Sequence, residues 1–434
     1  MKQGILTDIL DHANRANPYP LYEELRKTPV YHDGEGPYVV STYHEIHGLL
    51  HDPRLSSEER NRTAGGADPL AGEEEAEGAT LPPSFLKLDP PEHDRLRRLT
   101  NRPFGPPHSP HRIESMRGNL DETVKNLIDD IANGTSRNGS SGNGSSGNGT
   151  SGNGAGTGRI DIVDQFSYPF PVTMICRLLG VPREDEARFH VWADTLASSL
   201  DPDPSADPAE RAKVTQDARM ELGMYLAGLI EERRKDPRDD MLSQLAAGQG
   251  DDSMSTMELL STAALLLIAG HETTVNLITN GMLTLLRNPD ELQRLRAEPG
   301  LAVPMVEELL RFEPPVQMLP QRTPLVDIEV HGVTIPKGAP MWLMLASGNR
   351  DPQRFENPDH FDPDRRDVQH LGLGSGIHSC FGAPLARLEA QKALSELARR
   401  LENPRLLEDP PPYRQNAVLR GPRHLMIACD GIRP

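Results

Sequence analysis

A mainly helical fold with short strands is what the sequence predicts, on three observations. Residues 256 to 287 hold apolar side chains on all sides of a helix, among them Leu259, Leu266, Leu277 and Leu285, which marks a buried central element. Ile113, Met116, Leu120, Val124, Leu127 and Ile131 recur at helical spacing as an amphipathic stripe. Strand-like runs are short: residues 38 to 40, residues 160 to 163, and pieces of the stretch 326 to 344.

Composition narrows the function classes. With 434 residues, 36% hydrophobic and 25% charged, the chain can bury a large core and suits a water-soluble globular protein. Its net charge of −18 argues against a nucleic-acid partner, which needs a basic face to displace counterions. Cys176, Cys380 and Cys429 are too few and too scattered for a disulfide framework or a zinc cluster, so a reducing cytoplasm is expected. Residues 1 to 8 contain no apolar run long enough for a signal peptide or membrane anchor, and no membrane association is expected.

In chain order, Leu21, Tyr22 and Leu25, then Ile46, Leu49 and Leu50, predict two helices that flank a strand at residues 38 to 40. Residues 58 to 84, rich in Gly, Glu, Ala and Pro without periodicity, predict a long loop. The Asp89-Pro90-Pro91 start opens a helix on which His93 and Arg97 lie four apart and can reach one anion. A solvated basic helix is the ordinary alternative. The amphipathic stripe stops at Gly134, where a tract of Gly, Ser, Asn and Thr, residues 134 to 158, begins. It repeats a five-residue unit and cannot bury enough apolar area to offset ordering entropy. Residues 168 to 200 and 208 to 235 read as helices split by a Pro/Asp-rich break at 201 to 205.

The central helix is interrupted by Ala269-Gly270-His271-Glu272-Thr273-Thr274, which rules out a membrane span. An acid and hydroxyls inside a buried helix are costly unless they have partners or a task. A zinc-protease helix is also ruled out, because the second histidine of that motif would fall at Val275. Glu308 and Arg311, three apart on a helix ending at Pro314-Pro315, can pair; such pairs are commonly superficial. Arg322 precedes the strand-rich stretch, and Arg365 follows Phe361-Asp362-Pro363-Asp364. Finally, Gly372, Gly374 and Gly376 alternate in a tight loop that ends at Cys380, with Leu385, Leu388, Leu394 and Leu397 at helical spacing behind it. A sulfur at a helix N-terminus has N–H groups and a dipole that favour the thiolate. A lone buried structural cysteine is the plain alternative.

The order Gly374, Gly376, His378, Cys380, Gly382 resembles the haem loop of the cytochromes P450, in which the cysteine is the proximal iron ligand. The family usually has Phe where this chain has Leu373, a change expected to alter packing under the haem but not ligation. Residues 269 to 274 are similar to the family's distal hexapeptide, and Glu308, Arg311 and Arg365 to its structural ion-pair network. Four motifs in the family's order over residues 88 to 397 imply a single domain, 1–434, with residues 134–158 as a flexible surface insertion. The implied fold is mainly α, about a dozen helices with small β sheets, with haem b (iron protoporphyrin IX) between the long central helix and the cysteine loop. The haem contacts implied are Cys380 on iron, Leu373, Gly374 and Gly382 around it, Ala269 and Gly270 on the distal side, and His93, Arg97, Arg322 and His378 at the propionates. The helix is expected to open at this hexapeptide to admit dioxygen, with Thr273 and Glu272 as catalytic residues that hold water and deliver protons.

The resemblance implies monooxygenation of a small apolar substrate by hydroxylation or epoxidation. A macrolide, terpenoid, steroid, fatty acid or aromatic would fit. Pocket residues are expected from 58 to 86, 190 to 225, 316 to 319 and 417 to 419, with the helix pair around the 201 to 205 break acting as a lid. Electrons are expected from NAD(P)H through a reductase and a ferredoxin or flavodoxin, since the chain has no dinucleotide fingerprint or iron–sulfur cysteine set. That partner is expected near Cys380 on Arg95, Arg98 and Arg387, and the enzyme itself is expected to be a monomer. A haem protein that senses a ligand without turnover is the alternative, and the Glu272-Thr273 pair weighs against it. Cys176 and Cys429 read as core residues.

Overall fold

A computed structural model describes residues 4–34, 36–63, 82–104, 112–134, 158–200, 207–248 and 253–434. Most of the loop expected at 58 to 84, the interior of the 134 to 158 tract and the break at 201 to 205 lie outside these residues. Among the described residues eleven helices reach eight residues or more. They are α1 (Tyr19–Arg26), α2 (Tyr43–Leu50), α3 (Glu92–Phe104), α4 (Arg117–Ala132), α5 (Pro169–Leu179), α6 (Glu186–Leu200), α7 (Pro208–Lys235), α8 (Thr256–Arg287), α9 (Pro289–Ala297), α10 (Ala302–Phe312) and α11 (Ala383–Arg400).

The strands are short and gather into small sheets. β1 (Val30–Tyr31), β2 (Tyr38–Val40), β3 (Leu55–Ser56), β5 (Leu319–Pro324) and β8 (Met341–Leu343) form one sheet in the order β1-β2-β8-β5-β3. Within it β2 runs parallel to β8, with Val39 opposite Trp342, which ties the N-terminal region to the C-terminal half. β4 (Arg159–Asp161) pairs antiparallel with β11 (Met426–Ala428), which also holds β10 (Arg405–Leu406). β6 (Ile328–Val330) with β7 (Val333–Ile335), and β9 (Leu401–Glu402) with β12 (Gly431–Ile432), are two-stranded.

α8 is the hub of the largest core cluster. A capping box between Ser255 and Glu258 starts it. Leu259, Leu267, Val275, Ile278, Met282 and Leu285 are then buried against residues of α5, α10 and α11. Burying a side chain of this size stabilises by roughly 1.5–3 kcal/mol, so the all-round apolar pattern secures the helix by packing. Cys176 and Cys429 are buried in the same cluster, as expected.

One expected helix is two. Residues 168 to 200 break at Gly180, whose φ of +82 ends α5 with its N–H on the Cys176 and Arg177 carbonyls, and Pro182 follows. The break is locked from outside. The Arg233 guanidinium bonds both the Gly180 carbonyl (2.5 Å) and Asp240 (2.6 Å), and a Cβ on Gly180 would lie 2.2 Å from Asp240. The lid-like pair is therefore α6 and α7.

A buried ion network positions the segment that carries Cys380. Arg311 bonds both oxygens of Glu308 (2.8 and 2.7 Å), and Arg365 reaches the same carboxylate at 3.2 Å. Arg311 also donates to the carbonyls of Asn349 (2.9 Å), Pro358 (2.8 Å) and His360 (3.2 Å), while the Asn349 side chain accepts from Leu371 N (2.7 Å). Glu308 and Arg311 are 1% and 0% exposed, so loss of either partner strands a charge away from water. Replacing Glu308 with Ala is expected to cost about 3–5 kcal/mol in denaturant unfolding. A loss no larger than that of an exposed pair, under about 1 kcal/mol, would contradict the role given to this network.

Candidate active site

The cysteine loop is closed by its own backbone. Gly374 N donates to Leu371 O (2.8 Å), Cys380 N to Leu373 O (2.8 Å) and Ser379 N to Gly376 O (3.1 Å). Gly376 has φ +67, and a Cβ there would sit 2.0 Å from the Leu50 carbonyl oxygen, so only glycine seats the loop against the end of α2. Leu373 and Phe381 are half-buried against the main core. Gly382 is the N-cap of α11, and its N–H and that of Ala383 are directed at the Cys380 sulfur.

Cys380 has accessible surface, yet desolvation dominates its chemistry. The two facts agree if its sulfur opens onto an internal cleft and not onto bulk solvent. Burial pushes the thiol up; the N–H groups of Gly382 and Ala383 and the charges of Arg97 and Arg387 pull it down by less. The N–H groups at the helix N-terminus thus favour the thiolate as expected, and burial opposes them by more. Ligation by a metal ion must displace the proton.

Beside the loop lies a concentration of buried basic groups. The His93 and His378 rings meet edge to face at 4.5 Å. Arg97 donates to the Ser379 carbonyl (2.7 Å) and lies 5.6 and 5.8 Å from the Phe85 and Phe381 ring centres. Arg322 is 8% exposed. Burial, then the charges of Arg322, His93 and Arg97, brings His378 down to about 3. Burial brings Arg322 down to about 10, with Asp89 opposing it. His93 Nε2 and His378 Nδ1 are buried without a hydrogen-bond partner, while Asp94 takes His93 Nδ1 (2.8 Å) and Ser57 meets His378 Nε2 (3.0 Å). Two guanidiniums and two imidazoles gathered beside the loop, with a ring nitrogen of each histidine left without a partner, make an anion site that suits a group carrying carboxylates.

On α8 the expected distal residues interrupt the burial. Ile268 and Ala269 are exposed and Gly270 and Thr273 half-buried, on a helix whose residues on both sides are buried. That exposed stripe in the middle of the core marks the cleft. A Cβ on Gly270 would meet the end of the Ile175 side chain at 2.7 Å, so α5 packs closely here and a larger residue would have to displace Ile175. The helix is α-helical without interruption across residues 269 to 274, which corrects the expected opening. The Thr273 hydroxyl instead back-bonds to the Ala269 carbonyl at 2.8 Å, a bond a helix accommodates.

Glu272 points elsewhere. Its carboxylate is 4% exposed and lies 3.3 Å from the Arg414 guanidinium. Burial pushes it up, and Arg414 and Arg423 draw it part of the way back. Arg414, like Ser57 and Asn349, was not legible in the sequence, because its partner is remote in the chain and no local spacing links them. Among the expected pocket segments, Val316 bridges to Leu419 and Gln317 N donates to Val418 O (2.8 Å), which joins residues 316 to 319 with 417 to 419. Of the expected docking cations, Arg387 is paired with Glu307 (2.6 Å) and Arg95 with Glu258.

Glu307 offers a pH test of the proximal scaffold. Burial raises its carboxyl, but hydrogen bonds and charges from His370 and Arg387 outweigh that and bring it to about 2. A depressed carboxyl contributes stability above its unfolded value near 4.5 that is lost as pH falls toward 2. Acid unfolding of wild type is expected to show this loss and Glu307→Gln to lack it; equal profiles would contradict the pairing.

Comparison with known proteins agrees with this geometry. The family model "Cytochrome P450" matches residues 83–428. The chain is 38% identical to the cytochrome P450 monooxygenase PikC of Streptomyces venezuelae, over 95% of this chain and 91% of that one. It is 34% identical to the 6-deoxyerythronolide B hydroxylase of Saccharopolyspora erythraea, over 95% and 96%. The structure of the Bacillus subtilis bacillaene polyketide synthase cytochrome P450 PksS superposes with a TM-score of 0.80 at 29% identity, over 97% of this chain and 99% of that one. With its fold, cysteine loop and distal helix in place, the chain belongs to the cytochrome P450 family of haem-thiolate monooxygenases.

Proposed function

We propose that the chain inserts one oxygen atom from dioxygen into a C–H or C=C bond of a small apolar molecule, with electrons from NAD(P)H delivered by a reductase and a ferredoxin or flavodoxin. The observation that carries this reading is the exposed stripe Ile268, Ala269 and Thr273 on an otherwise buried helix, in a fold whose cysteine loop leaves a sulfur accessible. Haem, when bound, supplies the iron at which dioxygen is reduced and the C–H bond is oxidised. Cys380 would be its ligand, and His93, Arg97, Arg322 and His378 would hold its carboxylates; the unpartnered His93 Nε2 and His378 Nδ1 fit that task.

The chain's own residues then have separate tasks. Thr273 presents a hydroxyl at the cleft, anchored by the Ala269 carbonyl, that can hold a water and pass on its proton. Glu272, one residue earlier and on the protected side of α8, is placed to supply that proton from behind. Leu265 and Ile268 with Val316, Leu319, Val418 and Leu419, all at least partly accessible, give the pocket an apolar lining. The relatives named for 6-deoxyerythronolide B and for a polyketide synthase make polyketides the first class to screen. Because β2 pairs with β8 and β4 with β11, we read residues 1–434 as one domain with 134–158 inserted before β4, working as a cytoplasmic monomer.

Turnover under isotopically labelled dioxygen, with NAD(P)H, a reductase and a ferredoxin, is expected to place one labelled atom in the product. Thr273→Ala is expected to divert electrons to peroxide and lower product per NAD(P)H roughly tenfold or more. Binding without product would favour a ligand sensor, and wild-type coupling in Thr273→Ala would remove Thr273 from the proton path.

A further inference from the structure

Monooxygenation consumes two protons with two electrons per dioxygen, one oxygen atom going to product and the other leaving as water. Those protons must cross from solvent to the buried side of α8. Around Glu272 the structure holds a set of polar atoms with no protein partner: Glu272 Oε1, Arg414 Nε and Nη2, and both amide atoms of Asn276. Glu272 and Arg414 are each 5% exposed at the side chain, and Asn276, one helical turn beyond Glu272, is 0% exposed. Native proteins satisfy such atoms with ordered water, so this cluster of donors and acceptors marks where water would bind.

The cluster leads outward. The Gly421 carbonyl accepts from Arg414 N (3.2 Å), and a Cβ on Gly421 would strike Asn276 at 2.2 Å, so the C-terminal segment closes directly over Asn276. The pairing of Tyr413 with Pro422 brings Arg414 and Arg423 together, and the charges of both reach Glu272 and Asp164. Asp164 belongs to a cluster with Asp161 and His424. His424 Nδ1 lies 2.7 Å from Asp161 and 3.7 Å from Asp164, and His424 and Asp164 are 40% and 43% exposed. Two titratable groups open to solvent, Asp164 and His424, thus stand at one end, and a buried carboxylate at the other, with the charges of Arg414 and Arg423 felt at both.

We propose that Asp164 and His424 form the mouth of a proton inlet, and Arg414 and Asn276 its interior, through which solvent protons reach Glu272. The inference rests on the proton-donor reading of Glu272. Asp161 is structural in this scheme, since its carboxylate also accepts from Val163 N (3.0 Å) and Leu425 N (3.1 Å). Arg414, 3.3 Å from the Glu272 carboxylate, positions Glu272 without itself losing a proton.

The sign of the pH dependence follows from the mouth. The hydrogen bond that His424 donates to Asp161, followed by the charges of Asp161 and Asp164, holds the His424 imidazolium above its ordinary range; burial and Arg423 oppose them. Proton delivery is fast while His424 is protonated and slows as pH rises through that raised value.

The test is Asp164→Asn combined with His424→Gln in the haem-loaded enzyme, with single Asp164→Asn as the milder variant and thermal unfolding as the folding control. Product per NAD(P)H is expected to fall roughly tenfold, below the effect of a group that transfers the proton itself, and the alkaline limb of the coupling profile to disappear. In the resting protein, without turnover, the infrared band of the Glu272 carboxyl, assigned by its loss in Glu272→Gln, is expected to exchange its proton for deuterium more slowly. Wild-type coupling profile and exchange in the double variant, with Glu272→Gln uncoupled, would overturn the inlet alone. Wild-type coupling in Glu272→Gln would overturn the reading of Glu272 and the inlet with it.

Discussion

The carboxylate of Glu308, shut away from water between two guanidiniums, is the interaction on which the rest of the structure depends. Arg311 and Arg365 both bond it, and Arg311 gives its remaining donors to the carbonyls of Asn349, Pro358 and His360. Through Asn349 that network reaches Leu371 and so the first residue of the cysteine loop. From there the loop needs only its own turns and the seat of Gly376 on α2 to deliver Cys380. The sulfur is held by backbone and buried ion pairs, not by side-chain contacts of its own. Such a scaffold resists relaxation because each member would leave an unpaired buried group if it moved.

Electrostatics separate the two faces of the cleft. The chain carries −18 overall, yet His93, Arg97, Arg322 and His378 gather at one edge of the cysteine loop, where the charges of the other three lower the His378 imidazolium further than burial alone. Behind α8 the arrangement is reversed: a buried carboxylate, Glu272, faces Arg414 and Arg423. In the first site His93 Nε2 and His378 Nδ1 are left without a partner. The second is internally paired but incompletely hydrogen-bonded, which suits a place where water and protons move. α8 separates them, and its exposed stripe at Ile268, Ala269 and Thr273 is where their chemistry can meet.

Features that depend on local spacing were legible in the sequence. The alternating glycines before Cys380, the all-round apolar run of α8 and the Glu308–Arg311 spacing each follow from short-range periodicity, and each has its expected place in the fold. Three readings needed the structure. The break at Gly180 depends on Arg233 and Asp240, which close on it from another helix. The helix runs on through 269 to 274, with the Thr273 hydroxyl bonded back to the Ala269 carbonyl, a detail invisible to motif matching. The balance at Cys380 turns on burial, which the helix N-terminus does not outweigh. Arg414 illustrates the general limit: an ion pair between remote residues leaves no periodic trace.

The account rests on Cys380 as thiolate ligand, and the reduced-protein difference spectrum with and without carbon monoxide tests it most directly. Haem-loaded wild type is predicted to show the long-wavelength Soret band of a thiolate-ligated haem, and Cys380→Ser to lose it while remaining folded. No such band in folded, haem-loaded wild type, or the same band in the serine variant, would contradict the assignment of Cys380 and the monooxygenase chemistry built on it.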